Sequence, residues 1–154
     1  MALKIGDSIP NFIAKDTNGN DFDSQTIIGK QPVVLYFYPK DDTPGCTLQA
    51  CTFRDQYEDF KDIGAEVIGV SSDSVAAHQK FTKRYKLPFL LLSDENKKLR
   101  KLFGVPNDLL GLLPGRVTYV IDRNGVILLV FNSMSGKIHS KKAFEALKNS
   151  IKGS

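Results

Sequence analysis

The chain has 154 residues, 42% of them hydrophobic and 25% charged, with a formal net charge of +4. That length carries one well-packed core and is short for two. No apolar run approaches the roughly 18–20 residues that cross a bilayer, so no membrane partner is expected.

The opening segment, MALKIGDSIPNF, lacks the apolar stretch of a secretory signal. The expectation is one soluble domain over residues 1–154. It belongs either in a cytoplasm of bacterial type or, if a transit peptide has been removed, in a plastid. The positive charge lies in short clusters, Lys83-Arg84-Lys86, Lys97-Lys98-Arg100-Lys101 and Lys141-Lys142. Each sits beside apolar residues at helical spacing and reads as a solvated helix face. Basic residues converging on one surface with interleaved aromatics are not visible, so no nucleic-acid partner is expected. A docking face for an acidic protein is the alternative.

In chain order, NFIAKDTNGNDF places Asn18-Gly19 between two short alternating runs and predicts a β-hairpin. Val33–Tyr38 are six consecutive apolar or aromatic residues closed by Pro39, the pattern of a strand buried on both faces. A helix follows from near Cys46. AEVIGVS (65–71) predicts a second buried strand, and Ser74 stands as N-cap to the helix VAAHQKFTKRY. LPFLLLSD predicts a short strand leading into the polar helix ENKKLRKLF. RVTYVID and VILLVF, joined through Asn124-Gly125, predict a second hairpin. SKKAFEALKNSI closes the chain as an amphipathic helix. A parallel α/β core with an antiparallel edge, covered by helices on both faces, satisfies this order.

The two cysteines, Cys46 and Cys51, are five positions apart in YPKDDTPGCTLQAC. This is too sparse for a secreted disulfide scaffold. Cys46, Ala50, Phe53, Tyr57 and Phe60 recur at steps of four and three and predict the inward stripe of one helix. On such a helix Cys51 lies about 140° around the axis from Cys46 and roughly 7.5 Å along it. A disulfide keeps its Cα atoms within about 7 Å with converging Cβ vectors. Bridging the pair therefore requires the first turns to unwind.

Thr43-Pro44-Gly45 prepares the helix start. Thr43 is a candidate N-cap with its hydroxyl facing the same mouth as Cys46, Pro44 suits the first helical position, and Gly45 admits a ligand close to the backbone. The free amides of that turn favour thiolate over thiol. Lowering a thiol pKa from about 8.5 to about 6 raises the thiolate fraction at pH 7 only about thirtyfold. A fast enzyme must also stabilise the charge that moves in the transition state, which calls for a cation. Arg116, after GLLPG at a loop-to-strand junction, is the candidate.

YPKDDTPGCTLQAC resembles the active-site segment of peroxiredoxins, Pro-x-x-x-Thr-x-x-Cys, here on Pro39, Thr43 and Cys46. The second cysteine five residues on is similar to the bacterioferritin-comigratory or Q-type subgroup. So are FRDQYEDFKDIGAEVIGVS, LPFLLLSDENKKLRKLFGV and LPGRVTYVID. The resemblance implies a thioredoxin-like fold, a central mixed sheet flanked by helices, with an added N-terminal β-hairpin. It implies an antioxidant thiol peroxidase acting on hydrogen peroxide and organic hydroperoxides, with Cys46 as peroxidatic and Cys51 as resolving cysteine. The two would form a redox disulfide that a thioredoxin-type dithiol reduces. Pro39 would shield the sulfur, the Thr43 hydroxyl would bond thiolate and peroxide, and Arg116 would supply positive charge. No metal or organic cofactor has a task, and a resolving cysteine on the same helix lets a monomer suffice.

Three rivals stand beside this reading. A metal site from Cys46, Cys51, His78 and His139 has its histidines sixty-one residues apart, far from the usual zinc spacing. A disulfide reductase would use Cys-x-x-Cys, usually beside a Trp, and the chain has no Trp. A non-catalytic interaction domain would not consume thiol when peroxide is added. The leucines of DLLGLLPG, Leu109, Leu110, Leu112 and Leu113, are read as buried structure, a wall of the peroxide pocket or a contact for another chain.

Overall fold

The computed structural model describes residues 2–105, 107–108 and 113–152. Along the chain run β1 (Ile13–Asp16), β2 (Asp21–Asp23), β3 (Val33–Phe37), α1 (Pro44–Asp55), α2 (Tyr57–Asp62), β4 (Glu66–Ser71), α3 (Val75–Tyr85), β5 (Leu90–Ser93) and α4 (Lys98–Phe103). A two-residue ladder of β6 (Asn107–Asp108) and β7 (Leu113–Pro114) follows, then β8 (Val117–Ile121), β9 (Ile127–Asn132) and α5 (His139–Lys152). The leucines 109–112 lie outside the described residues, and nothing is described of the Leu113 side chain.

The main sheet has the order β2-β1-β5-β4-β3-β8-β9. Its centre, β5-β4-β3, is parallel, and the strands on either side are antiparallel. Asn18-Gly19 makes the first turn as expected, with only Gly19 at positive φ (81°), and Gly125 (φ 81°) does the same between β8 and β9. Every residue of β3 is buried, and its side chains divide between two cores. Val33, Leu35 and Phe37 face Phe12, Phe22, Leu99 and Phe103, so the N-terminal segment and α4 cover that side. Val34 and Tyr36 face Cys46, Ala50, Phe53 and Phe60, together with Phe81 of α3 and Leu147 of α5. Burying each such side chain stabilises the fold by about 1.5–3 kcal/mol, which is why a continuous apolar run takes the centre of the sheet.

Three expectations change. The inward stripe is carried by two helices, not one. Gln56 (φ −97°, ψ 1°) ends α1 and starts α2, with Phe53 and Phe60 fully buried on either side and Tyr57 turned partly to solvent. The helix predicted from Glu95 starts later, at Lys98, because the Asp94 carboxylate accepts from the amides of Leu99 and Arg100 (2.9 Å each) while Lys97 takes a left-handed conformation. Finally, Arg100 does not belong to the solvated face. It is 7% exposed, with its guanidinium 5.8 Å from the Phe37 ring, while Lys97, Lys98 and Lys101 remain outside.

Phe53 stacks on Tyr36 (centroids 4.6 Å apart, 15° between planes) and fixes α1 to the centre of the sheet. Phe53→Ala is expected to cost about 3–5 kcal/mol, read as a fall in the denaturant midpoint at unchanged slope.

Candidate active site

β3 ends at Phe37, Tyr38 follows, and Pro39, half-buried and without an amide hydrogen, keeps the ladder from going on. The loop that follows is tied down by its own carboxylates. Buried Asp41 accepts from the Tyr38 hydroxyl and faces His78 Nδ1 at 2.6 Å, while its amide donates to Asp73 Oδ2 (2.8 Å). His78 Nε2 faces the Leu92 carbonyl at 3.0 Å. Asp42 takes φ 60°, a conformation that Asp tolerates better than most residues, and accepts from Arg84 and from the Tyr85 hydroxyl. Two turns of direction thus deliver the chain to Thr43 in an extended conformation, with Pro44 as the first helical residue.

Thr43 holds the N-cap position, but its hydroxyl donates to the Lys40 carbonyl (2.9 Å) and makes no cap bond to the helix. Thr47 N–H donates to Thr43 O, and Pro44 has no N–H. Among the described residues this leaves the amides of Gly45 and Cys46 unpaired at the positive end of α1. Cys46 is 1% exposed and Cys51 half-buried. Both are free thiols on one continuous helix, as the spacing requires of the reduced pair.

Arg116, immediately before β8, is 3% exposed. Its Nε donates to the Met134 carbonyl (3.1 Å) and one Nη donates to Gln49 Oε1. The other Nη lies against Gly45: a Cβ placed there would stand 2.9 Å from it. The guanidinium therefore adjoins the first turn of α1 on the residue next to Cys46. The loop after β9 closes the arrangement, for a Cβ on Gly136 would collide with Gly45 O. That loop is itself held by His139, whose Nε2–H donates to Ser133 O (2.7 Å) and whose Nδ1 accepts from the Thr118 hydroxyl (2.7 Å). Burial, with Arg116 adding to it, pushes the His139 imidazole down to about 4. Both nitrogens of His78 and both of His139 are engaged by the protein at separate places, so the metal set with Cys46 and Cys51 does not form.

Of the residues the sequence singles out, Arg116 lies against Gly45, one residue before Cys46; Pro39 and Thr43 precede that turn, with the Thr43 hydroxyl given to Lys40 O, and Cys51 stands further along α1. Missed were Gln49 and Gly136. Gln49 was legible: it falls at i+3 from Cys46 and i+4 before Phe53, a polar residue inside the inward stripe. Gly136 had no local signal, because its contact is with a helix ninety residues earlier.

The model of the AhpC/TSA family matches residues 5–130. The chain belongs to the AhpC/TSA family. Peroxiredoxin Q of Sedum lineare, a chloroplastic protein, is 59% identical over 83% of this chain and 68% of its own length. The curated plant relatives are matched over 57–68% of their lengths. Among solved structures, peroxidoxin BcpB of Mycobacterium tuberculosis is 37% identical (TM-score 0.87), over 96% of this chain and 97% of its own. The bacterioferritin comigratory protein of Xanthomonas campestris, whose structures address its alkyl peroxide reduction activity, is 27% identical (TM-score 0.82; 90% and 91% covered). The mixed sheet with its flanking helices is thus the thioredoxin-like fold of the peroxiredoxins, with the hairpin β1-β2 added at its edge.

Two outcomes test the site. Gly45→Ala pushes only on the far end of the Arg116 side chain, so it should leave the melting temperature within about 2 °C while slowing peroxide-dependent thiol loss by about tenfold or more. His139 stays neutral when folded, whereas the unfolded chain binds its proton below the ordinary 6.5. Stability should then fall as pH drops from 6.5 to about 4 and level off below, by about 3 kcal/mol in all. Urea titrations of native and His139→Asn protein across that window should show this component in the native chain only.

Proposed function

We propose that this chain is a thiol-dependent peroxidase that reduces hydrogen peroxide and organic hydroperoxides, in antioxidant defence. The observation that carries the reading is Cys46 in the first turn of α1 with a buried guanidinium against its neighbour Gly45.

The Cys46 thiolate attacks the nearer peroxide oxygen, and the O–O bond breaks in line with the attack. One oxygen stays on sulfur as a sulfenic acid, and the other leaves as water or an alcohol after taking a proton. The free Nη of Arg116 and the amides of Gly45 and Cys46 stabilise the charge that passes from sulfur to the departing oxygen. The Thr43 hydroxyl, whose single proton already serves Lys40 O, offers its lone pairs to the peroxide O–H. Pro39 shields the sulfur from bulk water.

Condensation with Cys51 then releases water and forms the disulfide, after α1 has opened. The folded helix carries a penalty that favours this opening. Among the described residues the Nε2 of Gln49, on α1 itself, is buried without a partner, and such a group costs about 1–3 kcal/mol. The opening has natural limits, for Asp41 is anchored to His78 on one side and Phe53 to Tyr36 on the other. A thioredoxin-type dithiol returns the disulfide to two thiols by exchange. The cycle needs no metal or organic cofactor, and because both cysteines share one helix it runs in a monomer. The chloroplastic address of the plant relatives supports a plastid over a bacterial-type cytoplasm.

One equivalent of hydrogen peroxide should remove two thiols from the reduced native protein within the dead time of alkylation. It should remove one from Cys51→Ser and none from Cys46→Ser. Loss of the one remaining thiol from Cys46→Ser, or an intramolecular crosslink in Cys51→Ser, would overturn the assignment.

A further inference from the structure

The hydrogen-bonded ladder between β3 and β8 ends at the pair Phe37↔Val117. Just beyond it the two strands part, one toward Cys46 and the other, read backwards, through Arg116. Pro39 cannot donate, so backbone pairing does not continue across this gap. What spans it is Arg100. From α4, one of its Nη groups donates to the Tyr38 carbonyl (3.3 Å) and the other to the Gly115 carbonyl (3.2 Å). These carbonyls belong to the last residue before the Pro39 loop and the residue immediately before Arg116.

The arrangement is unusual for an arginine. Among the described residues it forms no ion pair, although 7% exposed, and it spends its fork on two neutral carbonyls. Burial lowers its pKa, opposed by the charge of Asp94, whose carboxylate holds the α4 amides of Leu99 and Arg100 itself. Burying a cation is costly and is tolerated where its hydrogen bonds are made. A guanidinium is planar and its fork rigid, so the two carbonyls it joins are held at a set separation.

We propose that Arg100 is a positioning residue for the peroxide step, which fixes the root of the Cys46 loop against the root of Arg116 where the sheet ladder ends. It touches neither peroxide nor sulfur and acts through the placement of Arg116 beside Gly45. The proposal rests on the role given to Arg116 above. Lysine is a poor replacement, since one ammonium on a flexible stem cannot impose the separation of two carbonyls.

The test is a cycle of Arg100→Met and Arg100→Lys, each alone and combined with Arg116→Lys. The readouts are the second-order rate of thiol oxidation by hydrogen peroxide and the rate at which dithiothreitol reduces the pre-formed disulfide. A displacement of about 1 Å at such a site costs about 100-fold, so Arg100→Met should slow oxidation by about 30–100-fold and Arg100→Lys by about 10-fold. Disulfide reduction should stay within about twofold, because the aligned site takes no part in it. In the Arg116→Lys background the Arg100 changes should each add less than about twofold. If Arg100→Met does not fold, the same cycle is read with Arg100→Lys. Native oxidation rates in the Arg100 variants, full multiplicative losses in the double variants, or parallel losses in both reactions would overturn the proposal. A native rate for Arg116→Lys would instead remove Arg116 from the chemistry, and this inference with it.

Discussion

A single geometric conflict organises the molecule: the two sulfurs share a helix that keeps them apart. Cys46 gains its setting, free amides and a neighbouring guanidinium, only while α1 is coiled. The spacing of Cys51 means that the coil and the crosslink exclude each other. Much of the surrounding structure can be understood as holding α1 firmly at its ends and less firmly between them. Asp41 is buried in a network that includes Tyr38, Asp73 and His78, and Phe53 is stacked on the central strand. Between these points lie Gly45, the exposed Leu48 and the unpaired Nε2 of Gln49.

The anchors come from parts of the chain with no sequence proximity to the cysteines. The loop before Cys46 leans on the carboxyl ends of β4 and β5 through Ser71, Asp73 and the carbonyl of Leu92. Arg116 is kept in place by a loop more than fifteen residues later, and that loop by a neutral histidine. A parallel sheet makes this economical, because the ends of β3, β4 and β5 and the start of β8 all emerge on one edge.

The sequence was most legible where local chemistry decides structure. Ser74 caps α3 by accepting from Ala77 N–H, and the apolar run at Val33 is the central strand. Thr43-Pro44 begins α1 at the expected residues, and Arg116 lies against Gly45, the residue before Cys46. What stayed hidden depended on which way one residue of a cluster turns. Arg100 has lysines at 97, 98 and 101, so charge alone marks a wet face; its adjacency to Leu99 and its i+3 relation to Phe103 were the signs of an inward orientation. The break at Gln56 carries no Gly or Pro and follows from fitting Phe53 and Phe60 to one sheet. The cap that delays α4 is supplied by Asp94 at the end of a strand, a partner that pattern alone does not single out.

Gln49 occupies the stretch between the two sulfurs and at the same time bonds Arg116. No rearrangement can join Cys46 to Cys51 while the backbone carrying Gln49 stays where it is. In the proposed cycle, opening α1 to form that crosslink would release the arginine from Gln49, and recoiling would restore the bond. One amide side chain would then act as an interlock, bracing the guanidinium in the form of the protein whose thiols are reduced.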